Sequence, residues 1–167
     1  MLLADFGTSY TKLVTPDEDT EPRIIPTREL APDFMADLAT GHNAKRRGRE
    51  SVNELIALAK GGTRLIAEPD AVLLDCGSRD IKFIRYQGGE VADMGWNAEC
   101  GASMGFTIEL LESYYKIDYS MVPVPETGFS VTCGVLGMSN IFDAVVTGSS
   151  MTEAVAKFVR GIAHNAF

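Results

Sequence analysis

The residues best suited to chemistry lie near the start of the chain, in the stretch "LLADFGTSYTKL". Asp5 follows a short apolar run, Gly7, Thr8 and Ser9 come next, and Lys12 lies near the end. An aspartate at the end of a strand can hold Mg²⁺, usually through water. Glycine lets the backbone approach a phosphate closely, turn N–H groups and hydroxyls form an anion cradle, and lysine adds positive charge. The stretch therefore predicts a hairpin that binds phosphate and Mg²⁺.

The same pattern, D-x-G-x-x-x-x-K, returns from Asp75 to Lys82, again after an apolar run. Gly77, Ser78 and Asp80 lie inside this second copy. One copy alone also fits an ordinary hairpin that uses Asp and Gly as turn formers. Two copies at identical spacing favour a pair of hairpins that grip the phosphate tail of a nucleotide, with the aspartate of each copy holding Mg²⁺ through water.

Composition and charge limit the classes of protein that fit. The chain has 167 residues, 46% of them apolar and 23% charged, which suits a globular protein with a real core. The formal net charge of −8 argues against a nucleic-acid binder. No apolar run is long enough for a membrane helix and no secretory signal is visible, so we expect no membrane contact. Three cysteines without a C-x-x-C pair fit a reducing cytoplasm.

Apolar periodicity and turn residues predict the elements that position these side chains. The first motif is expected to form two strands, "LLADF" and "YTKLV", joined by the polar "GTS", and "FMADLAT" a third strand. Residues 15–33 are expected to be irregular, and the basic "NAKRRGRE" to be a solvated loop before a helix. "SVNELIALAKGG" predicts that helix, with a capping box of Ser51 and Glu54 and a stop at Gly61.

The rest of the chain alternates between strands and helices. Three strands are expected at residues 71–75, 80–86 and 90–95, with a glycine pair as the hairpin turn before the last. "GFTIELLESYYK" predicts a helix, and "GFSVTCGVLGMSNIFDAVVTG" a short strand followed by a helix. "SSMTEAVAKFVRGIAHNAF" predicts a last helix with a capping box of Ser150 and Glu153. This order of elements predicts a mixed α/β layer structure.

The two phosphate motifs resemble those of the superfamily of sugar kinases, heat-shock 70 chaperones and actin. From Asp75 onward the chain is similar to the ATP-dependent activators of 2-hydroxyacyl-CoA dehydratases and the ATPase subunits of benzoyl-CoA reductase. That family typically reads D-I-G-G-Q-D-x-K and then N-x-x-C-A-A-G-T-G-R-F-L-E, where this chain reads "DCGSRDIK" and "NAECGASMGFTIELLE". "LATGHN" resembles its A-T-G-Y-G-R, and "VTCGVLGMSNIFDAV" its second cysteine segment, C-x-V-F-A-E-S-E. The resemblance covers most of residues 1–167 and is weakest at 15–33.

The resemblance implies an actin-like ATPase (ribonuclease H-like) α/β fold, a mixed sheet with flanking helices. It also implies that Cys100 and Cys133 from each of two subunits hold one [4Fe–4S] cluster, since two cysteines per chain cannot satisfy a four-cysteine cluster. Each cysteine lies just before a predicted helix, whose N-terminus stabilises a thiolate, although buried structural cysteines could occupy the same positions. The partner sharing the cluster would be a second copy or a different redox protein. In the family, ATP hydrolysis drives a conformational change and an electron passes to a partner enzyme.

Three departures from the family pattern bear on function. Arg79 occupies the position of the family's glutamine, so the catalytic residue stays unknown. Cys76 replaces an apolar residue and is expected to be a small buried side chain. The chain ends before the family's Gly-Gly loop for adenosine, and "LGMSN" replaces the A-E-S-E acids. We therefore expect one shortened domain, 1–167, without the adenosine-binding half, in which 1–60 carries the first hairpin and 71–167 the second hairpin and the cysteines. Three explanations stay open: a naturally short relative, a fragment, or a site that another chain completes.

Two functions fit these motifs. The first is a reductive activator that couples ATP to electron delivery through the cluster to an electron-accepting enzyme. The second is a non-hydrolysing, iron–sulfur-binding or scaffold subunit of a larger anaerobic redox or enzyme-activation complex, such as one associated with methanogenesis. The intact pair of phosphate motifs favours the first, and the missing adenosine loop favours the second. A sugar or acetate kinase is disfavoured because the chain lacks a second lobe for substrate.

Overall fold

The computed structural model describes residues 1–16, 21–97 and 105–164. The chain divides into two compact units. The first unit comprises Met1–Asp75 and Lys82–Trp96, and the second comprises Cys76–Ile81 and Asn97–Phe167. Among the helices in these described ranges, none is long and apolar enough to cross a membrane.

A five-stranded mixed sheet lies in the first unit, with its strands in the order β3-β2-β1-β4-β5. The strands are β1 (Leu3–Phe6), β2 (Tyr10–Val14), β3 (Arg23–Pro26), β4 (Ala36–Gly41) and β5 (Gly48–Ser51). β2 runs antiparallel to β1 and β3, whereas β4 runs parallel to β1 and β5. Phe6, Ala4 and Ala39 are buried in the core beside this sheet. The predicted first hairpin is confirmed as β1 and β2, and the strand predicted in "FMADLAT" is confirmed as β4.

β3 lies in the segment that the sequence predicted to be irregular, so that prediction is wrong for this part of the chain. The strand pairs with β2, and Ile24 lies opposite Lys12. The local sequence discourages a strand because prolines stand at positions 22 and 26. An edge strand tolerates proline at its ends, where no ladder hydrogen bond is lost, and β3 is at the edge of its sheet.

The basic stretch predicted as a loop forms the short helix α1 (Ala44–Arg47) and then β5. Ala44 is buried in the core beside β1 and β4. The guanidinium of Arg47 donates to the carbonyl oxygen of Ala31 at 2.9 Å. Contacts with distant residues therefore order this stretch, which its own composition does not indicate.

A separate three-stranded sheet, in the order β6-β7-β8, confirms the next three predicted strands. They are β6 (Ala71–Cys76), β7 (Ile81–Gln87) and β8 (Glu90–Trp96). β7 and β8 are antiparallel. Gly88 and Gly89 connect them with φ values of 61° and 81°, which glycine adopts without steric cost, so the predicted hairpin turn is also confirmed.

Helix α2 spans Glu54–Leu65. Its N-cap lies two residues after Ser51, the N-cap that the sequence predicted. Ser51 belongs to β5, where it lies opposite a residue of β4, and it does not cap the helix. Asn53 caps α2 instead, because its Oδ1 accepts hydrogen bonds from the N–H groups of Leu55 and Ile56 at 3.0 and 3.3 Å. The capping box predicted at this helix is therefore wrong, although the helix itself is confirmed.

The glycine pair inside α2 does not stop the helix, which continues to Leu65. Gly61 is exposed, and a Cβ atom there would meet no other atom within 4 Å. Gly62 is buried, and a Cβ atom there would clash with the hydroxyl of Tyr86. That hydroxyl donates to the carbonyl oxygen of Ala59 at 2.8 Å. Gly62 is thus a packing residue that lets the Tyr86 side chain lie against the helix.

The described part of the second unit contains helices α3 (Gly105–Tyr115), α4 (Gly134–Val146) and α5 (Met151–Ala163). Its core gathers Leu111, Ile141, Val155 and Phe158, with Ile162 at the end of the buried face of α5. The predicted capping box of α5 is confirmed, because Ser150 Oγ accepts from the N–H of Glu153 and the Glu153 carboxylate accepts from the N–H of Ser150. The three predicted helices are therefore present.

The strand predicted before α4 is absent, since residues 128–133 form no strand among the described residues. This segment passes across α5 instead. The N–H of Phe129 donates to the carbonyl oxygen of Lys157 at 3.0 Å. Gly128 and Gly161 permit the close crossing, because a Cβ atom on either would lie within 3 Å of the other segment's backbone. This apolar segment therefore packs against a helix. Its sequence pattern alone does not show whether such a segment packs against a helix or joins a sheet.

Candidate functional site

The first predicted phosphate motif is organised around an ion pair between neighbouring strands. Asp5 on β1 lies opposite Lys12 on β2 in the antiparallel register. Lys12 Nζ donates to Asp5 Oδ2 at 2.9 Å, with the two side chains 48% and 33% exposed. The pair places a positive charge next to the turn, where an anion could meet it from solvent.

The second oxygen of the same carboxylate carries the most informative feature of the site. Asp5 Oδ1 is buried and accepts no hydrogen bond from any described residue. It faces Gly41 at the end of β4, where a Cβ atom would lie 2.6 Å from it. Buried carboxylate oxygens are generally satisfied by a donor, a water or an ion. An unpartnered carboxylate oxygen is therefore compatible with the predicted Mg²⁺, which is expected to bind Asp5 through water.

The turn between β1 and β2 is fixed by a residue that the sequence did not indicate. Thr27, in the short 3-10 helix Thr27–Glu29, donates from its N–H to the carbonyl oxygen of Ser9 at 2.8 Å. Its hydroxyl donates to the carbonyl oxygen of Gly7 at 2.9 Å. Gly7 is required there, because a Cβ atom would lie 2.5 Å from the carbonyl oxygen of Tyr10. The exposed Thr8 stands at the tip of this braced turn.

In the second predicted motif, the turn carbonyls support a helix. The N–H of Gly77 donates to the carbonyl oxygen of Asp80 at 2.9 Å and closes the turn. The carbonyl oxygens of Gly77 and Ser78 then accept from the N–H groups of Gly105 and Phe106, at 3.3 and 2.9 Å. These are the first described N–H groups of α3, and a helix start leaves such groups without intrahelical partners. This turn therefore satisfies the start of α3.

The two lysines of the repeated motif meet different carboxylates. Lys82 is 7% exposed, and its Nζ lies 3.2 Å from Glu54 Oε1 at the start of α2. Lys12, in contrast, pairs with the aspartate of its own motif. Asp75, at the end of β6, is half-buried. The sequence did not predict that Glu54 pairs with Lys82. Its position suggested a capping box, and nothing in its local pattern indicates a partner on β7.

Two side chains of the second motif face solvent. Arg79, at the family's glutamine position, is exposed. Cys76 is exposed as well, so the prediction of a buried side chain is wrong. The reason is the alternation along β6, in which Val72, Leu74 and Cys76 share the exposed side.

The predicted cluster cysteines are described only in part. Cys133 is half-buried with a free thiol and stands at the N-cap of α4, as the sequence predicted. A thiolate at this position is stabilised by the helix N-terminus. Cys100 lies outside the described residues. Within the ranges that are described, no three His, Cys, Asp or Glu side chains gather as a metal site.

Comparison with known proteins supports the fold. No family model matches the sequence, and no curated protein matches it. Component A of (R)-2-hydroxyglutaryl-CoA dehydratase from Acidaminococcus fermentans is similar in structure, with a TM-score of 0.75 and 17% identity over 99% of this chain and 75% of that chain. A Sinorhizobium meliloti protein described as a 2-dehydro-3-deoxygalactonokinase has a TM-score of 0.49 and 11% identity over 97% and 78% of the two chains. The chain therefore has the actin-like ATPase fold, a mixed α/β architecture with flanking helices.

Proposed function

We propose that this protein binds a Mg²⁺–nucleotide phosphate at its first hairpin and acts as an ATP-dependent reductive activator. In this role it passes a low-potential electron to a partner enzyme through an iron–sulfur cluster held by Cys100 and Cys133 and shared with a partner chain. The observation that carries the proposal is the buried, unpartnered Asp5 Oδ1 beside Gly41, within a hairpin that also presents Lys12.

The chemistry of the first hairpin supports nucleotide binding. Mg²⁺ prefers carboxylate oxygens and water, and it bridges protein carboxylates to phosphate oxygens. The free oxygen of Asp5 supplies the carboxylate, Lys12 supplies a compensating charge for phosphate, and the Gly7–Ser9 turn supplies backbone groups at close range. The second motif is proposed to bind phosphate as well, through Gly77, Ser78, Asp80 and Lys82, with Asp75 as its carboxylate for Mg²⁺.

The iron–sulfur part of the proposal rests on the cysteines. Cys133 stands at a helix N-terminus with a free thiol, which suits a thiolate ligand. A [4Fe–4S] cluster would supply one-electron chemistry at low potential. Dehydratase component A, one of the structural neighbours, is named as part of a dehydratase, which agrees with a role beside a partner enzyme.

Calorimetric titration of the full chain with MgATP tests the nucleotide site. We expect binding in the presence of Mg²⁺, and a loss of affinity of about tenfold or more in Asp5→Asn, because the substitution removes the ionised ligand. Asp33→Asn is the matched control, since Asp33 is an exposed aspartate of the same unit. Equal affinity of wild type and Asp5→Asn, or binding that survives chelation of Mg²⁺, would refute the site.

One observation favours the second candidate function, a non-hydrolysing iron–sulfur or scaffold subunit of a larger complex. The buried Lys82 is paired with Glu54, so its charge is already partly neutralised. A lysine held in this way is less available to stabilise the charge that develops during phosphoryl transfer. Phosphate release from MgATP, measured on the reconstituted protein, separates the candidates: the activator hydrolyses ATP, and the scaffold binds it without turnover.

A further inference from the structure

We propose that Lys45 and Arg46, on the short helix α1, form an outer anion subsite for a polyphosphate chain that extends from the first hairpin. The inference rests on the proposed function, because the hairpin must hold the first phosphate. It adds to that site the residues that would contact the outer groups of a chain of two or more linked phosphates, as in a nucleoside triphosphate or inorganic polyphosphate.

The basic stretch divides into cations with structural partners and cations without them. Arg47 donates to two backbone carbonyl oxygens, those of Ala31 and Phe34, and Arg49 lies 3.7 Å from Asp37 Oδ1. Lys45 and Arg46 are exposed, and neither forms an ion pair with any described residue. Two neighbouring cations have therefore been left available to a ligand.

The topology puts these two cations at the same edge of the sheet as the hairpin turn. β1 and β4 are parallel, and Phe6, the last residue of β1, lies opposite Gly41, the last residue of β4. The Gly7–Ser9 turn and α1 both follow directly from these strand ends, and α1 contacts β1. The chain from Gly41 to Lys45 spans at most about 14 Å, even if fully extended. Anionic groups that leave the turn therefore begin within reach of α1.

The acidic net charge of the chain gives the position of these two cations its importance. The whole chain carries a formal net charge of −8, so a general surface would repel a polyphosphate. Lys12 is already paired with Asp5 and offers only part of its charge. A bound triphosphate with its Mg²⁺ retains negative charge, which Lys45 and Arg46 can balance without having to break a protein ion pair.

The test compares the binding of inorganic tripolyphosphate, ATP and orthophosphate to the full chain with Mg²⁺. The double variant Lys45→Gln, Arg46→Gln is expected to bind tripolyphosphate and ATP about tenfold more weakly, since two charge-assisted contacts are lost. Orthophosphate should bind both proteins equally, because it is too short to reach α1. The matched control is Lys60→Gln, Arg64→Gln, which removes two exposed cations from the second half of α2. Urea unfolding of each variant verifies its stability.

The outcomes distinguish failure of the outer subsite from failure of the hairpin site. If wild type and the Lys45/Arg46 variant bind tripolyphosphate equally, the outer subsite is refuted while the hairpin site stands. If wild type binds neither tripolyphosphate nor ATP, the proposed function fails and the subsite fails with it. An equal loss in the Lys60/Arg64 control would show a nonspecific effect of charge and would also refute the subsite. ATP that binds more tightly than tripolyphosphate would identify a nucleotide as the source of the phosphates.

Discussion

Gly41 fixes the surroundings of the Asp5 carboxylate. Its φ of 90° is a conformation that residues with a side chain avoid, and its missing Cβ lets its backbone pack closely against Asp5 Oδ1. A residue with a side chain would press against this carboxylate oxygen and displace it. The glycine of the "LATGHN" stretch therefore belongs to the site as much as the aspartate does.

Gly41→Ala is predicted to weaken MgATP binding and to destabilise the protein by more than the ~1–2 kcal/mol that the positive φ alone costs. Its methyl group would lie 2.6 Å from both Asp5 Oδ1 and the carbonyl oxygen of Phe6. Gly88→Ala is the control, because Gly88 also has a positive φ but open space around it. Urea unfolding and calorimetry should show a stability loss in both variants and a binding loss only in the first. Normal MgATP affinity in Gly41→Ala would contradict this account.

Tyr119 is expected to make the stability of the second unit depend on pH in the alkaline range. Burial, with a smaller contribution from the charge of Glu112, raises the pKa of Tyr119 from its usual 10.0 to about 12. Its hydroxyl donates to the carbonyl oxygen of Ile108 at 2.9 Å. Because the folded state keeps the proton longer, this stabilisation is complete below pH 10 and is lost as the pH rises towards about 12. Tyr119→Phe should flatten the fall in unfolding free energy over that range, and an equally steep fall in the variant would exclude Tyr119 as its source.

At the scale of elements, adjacent glycines in α2 have opposite roles. Gly61→Ala should stabilise the protein by about 0.5–1 kcal/mol, because it adds helix propensity at an open position. Gly62→Ala should destabilise it, because the new methyl group displaces the Tyr86 hydroxyl from its bond to Ala59. The loss includes a buried hydrogen bond, typically worth about 1 kcal/mol. Thermal or urea unfolding compares the two variants, and a destabilising Gly61→Ala would disprove the assignment.

At the scale of the whole molecule, the proposed sharing of one cluster between two chains can be tested directly. After anaerobic reconstitution, the protein is predicted to contain about four irons for every two chains. Cys100→Ser and Cys133→Ser should each abolish the iron–sulfur absorbance, because each removes a thiolate ligand. Cys76→Ser is the control and should retain it, since Cys76 belongs to the second phosphate motif. Iron bound equally by all three variants would eliminate the activator hypothesis.

Sequence by itself determined the features that depend on local periodicity and local chemistry. The first hairpin follows from alternating apolar residues around "GTS", and the second from a glycine pair that must adopt positive φ. The capping box of Ser150 and Glu153 is a contact within one turn of helix, so its residues are adjacent in the chain. Asp5 and Lys12 lie opposite each other for the same reason, because a short hairpin fixes their register.

Only the tertiary structure decided the features that join distant segments. β3 and β5 form because neighbouring strands offer them hydrogen bonds, and residues 128–133 pack on α5 instead of joining a sheet. Thr27 braces the turn at Gly7, and Glu54 pairs with Lys82, across separations for which the sequence has no periodic signal. The unpartnered oxygen of Asp5 is of the same kind: the motif predicts a carboxylate, but only packing against Gly41 removes it from water and leaves it without a donor.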